Sequence, residues 1–200
     1  GDAFSSGNDV MDFLNDPPTD ESSPVVRFLR ALTAMEKPIV AAVNGAAIGI
    51  GTTMLLHCDL AYAVPEAKFR TPFVELALCP EAGSSLLLPW LMGHRRAAEW
   101  LLLCDTFDAE TACRQGIVND VFPADELLPR ATEQAKRLAA QPPAALRLAK
   151  RLMKEHYRDL LREVMTAEAV EVMKCVRSPE AVEAFQAFLA RREPDFSAFS

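Results

Sequence analysis

Short apolar runs alternate with glycine-rich turns between residues 38 and 73, and this pattern restricts the possible folds more than any other part of the chain. "PIVAAVNG" (38–45) predicts a short buried strand that ends in an Asn-Gly turn. "GIGTTMLLHC" (49–58) can begin a helix at its glycines, and "DLAYAVP" (59–65) predicts a second buried strand. "AKFRTPF" (67–73) is a candidate third strand. Buried strands that alternate with turns and helices favour an α/β layer structure.

The second half of the chain is predominantly helical. Ser178 is a predicted N-cap, because proline and an acid follow it at the first helical positions. Asp108 is another predicted N-cap, with Gly116 as the stop of its short helix. The predicted helices, including one that precedes the strands, cover residues 25–36, 94–104, 109–115, 127–140, 144–156, 159–176 and 178–192. A short strand is predicted over 116–122, and a polar, proline-rich loop is predicted over 15–24.

The composition argues against several classes of partner. The 200 residues carry a net charge of −7 and have a pI near 5.1, which argues against non-specific binding to nucleic acid or to anionic membranes. An anionic small ligand is still compatible with this charge, because local fields can oppose the global one. The longest apolar run, residues 38–56, contains too many glycines and polar residues to span a membrane. The five cysteines form no CxxC pair, so buried, reduced thiols and a reducing compartment are expected.

Two turns of small residues could supply backbone hydrogen-bond donors to a ligand. "NGAAIGIG" (44–51) leads from a predicted strand into a helix, where backbone N–H groups are unpaired and point outward. Such donors can bind a phosphate or a developing oxyanion, although a tight packing turn explains the same glycines. "AFSSGND" (3–9) could supply another N–H, but by itself it indicates only a loop.

A single carboxylate, Glu81, lies in the apolar stretch "LALCPEAGSSLL" (76–87). An unpaired acid in such surroundings requires a solvent path or a function. A structural interpretation is equally open, since Pro80 at N1 and Glu81 at N2 of a helix would complement the helix dipole. Glu75 is a nearby alternative acid, and Asp59 is expected to have a capping or structural role.

The histidines and one cysteine are weaker candidates for chemistry. His57, His94 and His156 lack metal-ligand spacing, so no metal site is expected. Cys79 lies close to Glu81, but no basic partner is evident, and a core thiol is favoured over a nucleophile.

Six stretches, in their order and spacing, resemble the crotonase (enoyl-CoA hydratase/isomerase) superfamily over essentially the whole chain. They are "AFSSGND", "PIVAAVNGAAIGIG", "CDLAYAVPEAKFRTPF", "PEAGSSLLLPWLMG", "GIVNDVFP" and "SPEAVEAFQAFLARREPDF". The resemblance implies an α/β fold, a crotonase-like ββα spiral, with a C-terminal helical region that packs into a homotrimer or a dimer of trimers. It places the catalytic core over 1–123, with the N-terminal part of the core missing from this sequence, and the helical region over 124–200.

The resemblance also implies a substrate and a site. Members of the family hold an acyl-CoA thioester carbonyl between two backbone N–H groups, which by position are those of Ser6 and Ile50. Hydratases of the family carry glutamates where this chain has Thr53 and Phe73, and these two side chains cannot provide the acid–base help that water addition requires. Glu81 instead matches the single catalytic acid of the Δ3,Δ2-enoyl-CoA isomerases.

The implied reaction is a 1,3-proton shift that converts 3-enoyl-CoA to trans-2-enoyl-CoA. Glu81 is the implied base, the two N–H groups hold the enolate oxygen, and no cofactor is needed because the coenzyme A thioester is the substrate. Phe73 and Leu78 are expected beside the substrate, where their apolar surface raises the pKa of Glu81. Phe188 and Arg191 match positions that touch the coenzyme A adenine of a neighbouring subunit, although core packing and a solvated charge explain them equally well.

Two alternatives remain open at this point. One is an enoyl-CoA hydratase or another crotonase-type reaction, such as dehalogenation or decarboxylation. The other is a non-catalytic acyl-CoA-binding domain, which a Glu81 side chain directed away from the pocket would favour. The expected compartment is the bacterial cytoplasm, or the peroxisome or mitochondrion of a eukaryote, and neither nucleic acid nor membrane is an expected partner.

Overall fold

The strands of the protein form two sheets, and the chain crosses repeatedly between them. The computed structural model describes residues 1–15 and 22–199. Its strands are β1 (Ala3–Ser5), β2 (Val40–Val43), β3 (Ala46–Ile48), β4 (Leu60–Ala63), β5 (Lys68–Arg70), β6 (Phe107–Asp108) and β7 (Asp120–Val121). Over the described residues, one sheet has the order β1-β3-β5-β6 and the other has the order β2-β4-β7. From β1 to β5, successive strands lie in alternate sheets, which gives the chain a layered, coiled path.

The strands predicted between residues 38 and 73 are confirmed, although each is shorter than its apolar run. β2 and β4 pair in parallel from Val40 opposite Leu60 to Val43 opposite Ala63, and the last two are fully buried. The turn after β2 brings β3 beside β1. A Cβ on Gly45 would lie 2.1 Å from the carbonyl oxygen of the facing β1 segment, so glycine is required at this close approach.

Helices connect the strands and dominate the C-terminal half. They are α1 (Val10–Asn15), α2 (Pro24–Ala34), α3 (Ile50–Thr53), α4 (Ser84–Met92), α5 (His94–Leu101), α6 (Ala109–Arg114), α7 (Ala124–Ala139), α8 (Pro143–Glu155), α9 (Arg158–Cys175) and α10 (Pro179–Ala190). Short 3₁₀ segments cover Met54–His57, Val74–Leu76 and Ser197–Phe199. The predicted helices are present to within a few residues at each end, and the predicted loop over 15–24 lies largely outside the described residues. None of the described helices combines the length and apolar character that crossing a membrane requires.

The two predicted N-caps are confirmed. The carboxylate of Asp108 accepts a hydrogen bond from the N–H of Thr111 at 2.8 Å. The hydroxyl oxygen of Ser178 accepts one from the N–H of Ala181 at 3.0 Å. Both helices begin where local capping chemistry places their start.

The C-terminal helices pack onto the α/β layers. Phe185 of α10 is fully buried and stacks on Phe13 of α1, with ring centroids 5.8 Å apart. Trp100 of α5 is also fully buried and stacks on Phe107 at 4.3 Å. The first contact holds α10 against α1, close to the turn that follows β1, and the second holds α5 against β6.

An ion pair between a buried lysine and a half-buried aspartate joins α8 to the segment before β4. The Nζ atom of Lys150 lies 2.7 Å from Oδ2 of Asp59 and donates to the carbonyl oxygen of Lys37 at 2.8 Å. The same Asp59 oxygen accepts from the N–H of Ile39 at 2.7 Å. The expected structural role of Asp59 is therefore confirmed.

Candidate active site

A cavity of about 490 Å³ opens where the turns after β1 and β3, the loop before α4 and the C-terminal helices meet. Most of its wall is apolar. The described residues that line it include Ser6, Gly7, Asn8, Asp9, Phe13, Val25, Leu29, Gly49, Ile50, Phe73, Leu76, Leu78, Cys79, Glu81, Met165, Ala169, Val172, Met173, Phe188 and Leu189. Ser6, Ile50 and Glu81 come from three separate segments, and the fold brings them to one cavity.

The turn between β3 and α3 presents its backbone to this cavity. Gly49 has a φ of +56°, a conformation that favours glycine, and its N–H donates to the carbonyl oxygen of Arg70 at 2.9 Å. A Cβ on Gly51 would lie 2.8 Å from the Cβ of Ser5, so glycine allows α3 to pack directly on β1. The start of α3 at Ile50 is thereby held beside the end of β1.

Two backbone N–H groups of the cavity wall have no protein acceptor. Ser6 directly follows β1, and Ile50 is the first residue of α3. Within the described residues, neither N–H donates a hydrogen bond. Unpaired donors in a largely apolar cavity favour an oxygen on which negative charge develops.

Glu81 lies in the loop before α4 and contributes to the cavity wall. Its side chain is half-buried, and its Oε1 atom accepts a hydrogen bond from the hydroxyl of Thr53, which is fully buried. The pKa of Glu81 is raised to about 7, mainly by burial; the Thr53 hydrogen bond opposes this rise, and the nearby charge of Glu168 adds a smaller contribution to it. A carboxyl group with this pKa can accept and release a proton near neutral pH.

The helix-dipole interpretation of Glu81 is wrong. α4 begins at Ser84, because the two residues before it, Ala82 and Gly83, have φ values of +58° and +73° and are not helical. The acid at the positive end of α4 is Glu168 of α9. Its carboxylate accepts from the N–H of Gly83 at 2.6 Å, and from the N–H and hydroxyl of Ser85 at 3.1 and 2.5 Å.

A buried histidine supports the same loop from the opposite side. His57 closes the 3₁₀ segment after α3, and its Nε2 atom lies 2.7 Å from the carbonyl oxygen of Ala82. A carbonyl only accepts, so Nε2 is the protonated nitrogen. Burial lowers the pKa of His57 to about 4, so the ring is neutral at physiological pH. His57 is therefore a structural donor, with no role as a metal ligand or base implied by its contacts.

The predicted substrate contacts differ in their relation to the cavity. Phe73 and Leu78 are buried and line it. Phe188 also lines it, with 59% of its surface exposed. Arg191 ends α10 in a left-handed conformation, is exposed, and is not among the described residues of the cavity wall. The contact of Phe188 and Arg191 with a neighbouring subunit's coenzyme A stays a prediction.

The other candidate residues from the sequence either lie outside the cavity that contains Glu81 or have side chains that stay unreactive. Glu75 is exposed and pairs with Arg70 at 2.5 Å. All five cysteines are free, and Cys104 is buried whereas the other four are half-buried, so the expectation of buried thiols is too general. Cys79 lines the cavity, but burial raises the pKa of its thiol to about 12, which keeps it protonated and supports a packing role.

Sequence reasoning missed the contribution of α9. Glu168 and the lining residues Met165 and Val172 share the inner face of this helix. Helical spacing of apolar residues indicates a buried face, but it does not show which loop that face contacts. A buried glutamate in such a face was the available signal, because an acid is rarely buried without a partner.

The chain matches one family model over nearly its whole length. The model described as "Enoyl-CoA hydratase/isomerase" matches residues 1–198. "Enoyl-CoA delta isomerase 2" of Rattus norvegicus is 34% identical over 198 residues, which are 96% of this chain and 51% of that protein. "Crotonyl-CoA hydratase" of Syntrophomonas wolfei is 35% identical over 170 residues, which are 85% of this chain and 65% of that protein. The chain thus spans about half the length of the rat relative.

A solved structure resembles the chain closely. The crystal structure of an enoyl-CoA hydratase/isomerase from Pseudoalteromonas atlantica has a TM-score of 0.92 and is 41% identical in sequence. The match covers 98% of this chain and 78% of that chain.

Proposed function

The chain belongs to the enoyl-CoA hydratase/isomerase family and has its crotonase-like α/β fold, and from this premise we propose that it isomerises 3-enoyl-CoA to trans-2-enoyl-CoA. Glu81 is the proposed base and proton carrier. The N–H groups of Ser6 and Ile50 are the proposed oxyanion hole. The substrate is a coenzyme A thioester, and the proposed reaction requires no cofactor.

The observation that carries this proposal is the environment of Glu81. Among the described residues that line the cavity, the acids are Asp9 and Glu81. Asp9 is exposed, and its Oδ1 atom accepts from the N–H of Met11 at 2.8 Å at the start of α1. Glu81 instead lies in the apolar wall, with a pKa near 7, so it is the better candidate for proton transfer.

The proposed reaction moves one proton and no other atom. The Glu81 carboxylate removes a proton from C2 of the 3-enoyl thioester, and the electron pair of that C–H bond becomes part of a dienolate. The negative charge on the thioester oxygen is stabilised by the two N–H donors, each of which is worth about 3 kcal/mol in comparable sites. The protonated Glu81 then gives the proton to C4, and the double bond ends between C2 and C3.

The contacts of Thr53 and Phe73 favour isomerisation over hydration. The Thr53 hydroxyl donates to Glu81, so it orients the carboxylate and adds no second acid. Phe73 is buried in the apolar wall. Adding water across a double bond requires a positioned water together with acid and base groups, whereas a 1,3-proton shift requires one base.

Replacing Glu81 by Gln tests the proposal. The amide keeps the shape and can still accept from Thr53, but it cannot carry the proton, so kcat for 3-enoyl-CoA should fall by about 10²–10⁴-fold. Binding of a saturated acyl-CoA, measured by calorimetry, should remain nearly unchanged. Glu75→Gln is the matched control, because Glu75 is an exposed acid outside the cavity. Wild-type turnover by Glu81→Gln would refute the assignment.

The same preparation separates the alternatives. Loss of the enoyl absorbance of crotonyl-CoA in water would identify a hydratase, and acyl-CoA binding without turnover of either substrate would identify a binding domain. The homotrimer or dimer of trimers is also part of the proposal. It is supported by the exposed apolar residues Leu148, Leu152 and Met153 along one side of α8, and sedimentation analysis measures it directly.

A further inference from the structure

The loop that carries Glu81 has a conformation that its own sequence does not favour. Ala82 and Gly83 are both left-handed, with φ values of +58° and +73°. The left-handed backbone conformation is unfavourable for a residue with a Cβ, so Ala82 adopts it only because surrounding contacts fix the backbone there. The position of the Glu81 carboxylate therefore depends on what holds the backbone that follows it.

Glu168 of α9 makes the contacts that hold this backbone. Its carboxylate accepts three hydrogen bonds, from the N–H of Gly83 at 2.6 Å and from the N–H and hydroxyl of Ser85 at 3.1 and 2.5 Å. These amides lie at the start of α4, where the helix has no internal acceptors for them. Burial raises the pKa of Glu168, and these three hydrogen bonds oppose that rise because they favour the ionised carboxylate. Hydrogen bonds to an ionised carboxylate are among the strongest in proteins, so this clamp is well suited to fixing a strained loop.

The packing of α9 reinforces the clamp. A Cβ on Gly83 would lie 2.4 Å from Cδ1 of Leu161 and 3.3 Å from Cγ of Met165. Leu161, Met165 and Glu168 are spaced along one face of α9, so the loop rests directly on the helix that supplies the carboxylate. Met165 also lines the cavity, which places this helix face at the site itself.

The Glu168 carboxylate contacts the backbone two residues after Glu81, and within the described residues no cation pairs with it. Glu168 is 8% exposed, and none of the ion pairs within the described residues includes it. Among the described residues, the titratable side chains that contact this loop or Glu168 include His57, which donates to the carbonyl oxygen of Ala82, and Cys79, whose thiol donates to the carbonyl oxygen of Glu168. Both are uncharged at neutral pH, because burial lowers the pKa of His57 and raises that of Cys79. Lys154 donates to the carbonyl oxygen of His57 at 3.4 Å, and within the described residues it forms no ion pair with Glu81 or Glu168.

We propose that Glu168 is a positioning residue for the reaction. Glu168 clamps the loop that carries Glu81, and its negative charge disfavours ionisation of the Glu81 carboxyl. The inference rests on the proposed function of Glu81. Glu168 itself does not touch the substrate in this proposal. It acts through the backbone at Gly83 and Ser85, and through its charge.

Glu168→Gln tests both actions, with Glu171→Gln as the matched control on the exposed side of α9. The amide cannot accept strongly from both backbone N–H groups, so kcat should fall by about ten- to a hundredfold while KM changes little. Removing the charge lowers the pKa of Glu81, so the acidic limb of the pH–kcat profile should move to lower pH. Glu168→Asp keeps the negative charge but shortens the side chain. It should therefore lower kcat without moving the acidic limb of the pH–kcat profile to lower pH.

Two measurements test the role of Glu168 without requiring enzymatic turnover. In protein labelled with ¹³C-glutamate, the titration midpoint of the Glu81 carboxyl, assigned with Glu81→Gln, should be lower in Glu168→Gln than in wild type. Amide hydrogen exchange at Gly83 and Ser85 should be faster. Ser85→Ala removes one of the three donors to Glu168, from the exposed side of the clamp, so it should give a smaller increase in amide hydrogen exchange. This variant keeps the test available if Glu168→Gln does not fold.

The outcomes separate this inference from the proposed function. A wild-type protein without isomerase activity overturns the proposed function, whereas the titration and exchange still decide what Glu168 does. An unchanged Glu81 midpoint and unchanged exchange at Gly83 and Ser85 overturn the positioning role. A lower kcat with an unchanged midpoint overturns the electrostatic part of the proposal.

Discussion

Glu81 should lower the stability of the folded protein at alkaline pH, and replacing it by Gln should relieve this effect. A glutamate side chain in an unfolded chain titrates near 4.5, whereas burial raises the pKa of Glu81 to about 7 in the folded protein. Between these values the folded state binds more protons than the unfolded state, so stability falls as pH rises through this window. Each pKa unit corresponds to about 1.36 kcal/mol, so the full effect is about 3 kcal/mol.

Urea unfolding of wild type and Glu81→Gln across pH 4 to 8.5 measures this effect. The difference in unfolding free energy should grow in favour of the Gln variant by about 3 kcal/mol from the acidic to the alkaline end. For a chain of this size, that difference corresponds to a rise in melting temperature of roughly 6–12 °C. Glu171→Gln changes an exposed glutamate on the same protein and should show no comparable trend.

A flat difference between wild type and Glu81→Gln over this pH range would refute the reasoning. It would mean that the Glu81 carboxyl is as well solvated in the folded protein as in the unfolded chain. A base with an ordinary carboxylate pKa would then be much too weak for the proposed proton transfer. The stability measurement therefore tests the chemical argument without a substrate.

Three other substitutions test single contacts. Thr53→Val removes the hydroxyl that lowers the pKa of Glu81, so the acidic limb of the pH–rate profile should move to higher pH and turnover at pH 6 should fall about tenfold. Gly51→Ala places a Cβ 2.8 Å from the side chain that faces it on β1, so calorimetry should show a lower melting temperature together with reduced turnover. Lys150→Met leaves the half-buried Asp59 without its cation, and urea unfolding should show a loss of about 3 kcal/mol. Each contact would be contradicted by an unchanged measurement: the acidic limb for Thr53→Val, the melting temperature for Gly51→Ala, and the free energy of unfolding for Lys150→Met.

The elements that the sequence predicts well are those fixed by local chemistry. Asp108 and Ser178 cap the helices assigned to them, because the donor that each side chain satisfies lies three residues along the chain. The strands β2, β4 and β5 also appear within the short runs that predicted them, which end at Gly45, at Pro65 and close to Pro72. Register, sheet order and the pairing of β1 with β3 depend on contacts between distant segments, and the apolar pattern alone does not specify them.

The site was predictable only in part for the same reason. The acid, the two small-residue turns and their shared cavity follow from motifs whose spacing resembles a known family. The local reading of Pro80 and Glu81 as a helix start was wrong, because Ala82 and Gly83 turn left-handed and delay α4 to Ser84. The contact that stabilises this turn comes from a residue 85 positions further along, and no local pattern indicates it.

The position of that contact affects how the protein matures during synthesis. When β1 to α4 have left the ribosome, the nascent chain already contains both glycine turns and Glu81. The amides at the start of α4 then have no carboxylate to bind until Glu168 has been translated and α9 has docked. The backbone after Glu81 therefore acquires this support only once α9 has been made and has docked, and the same helix then closes part of the cavity wall.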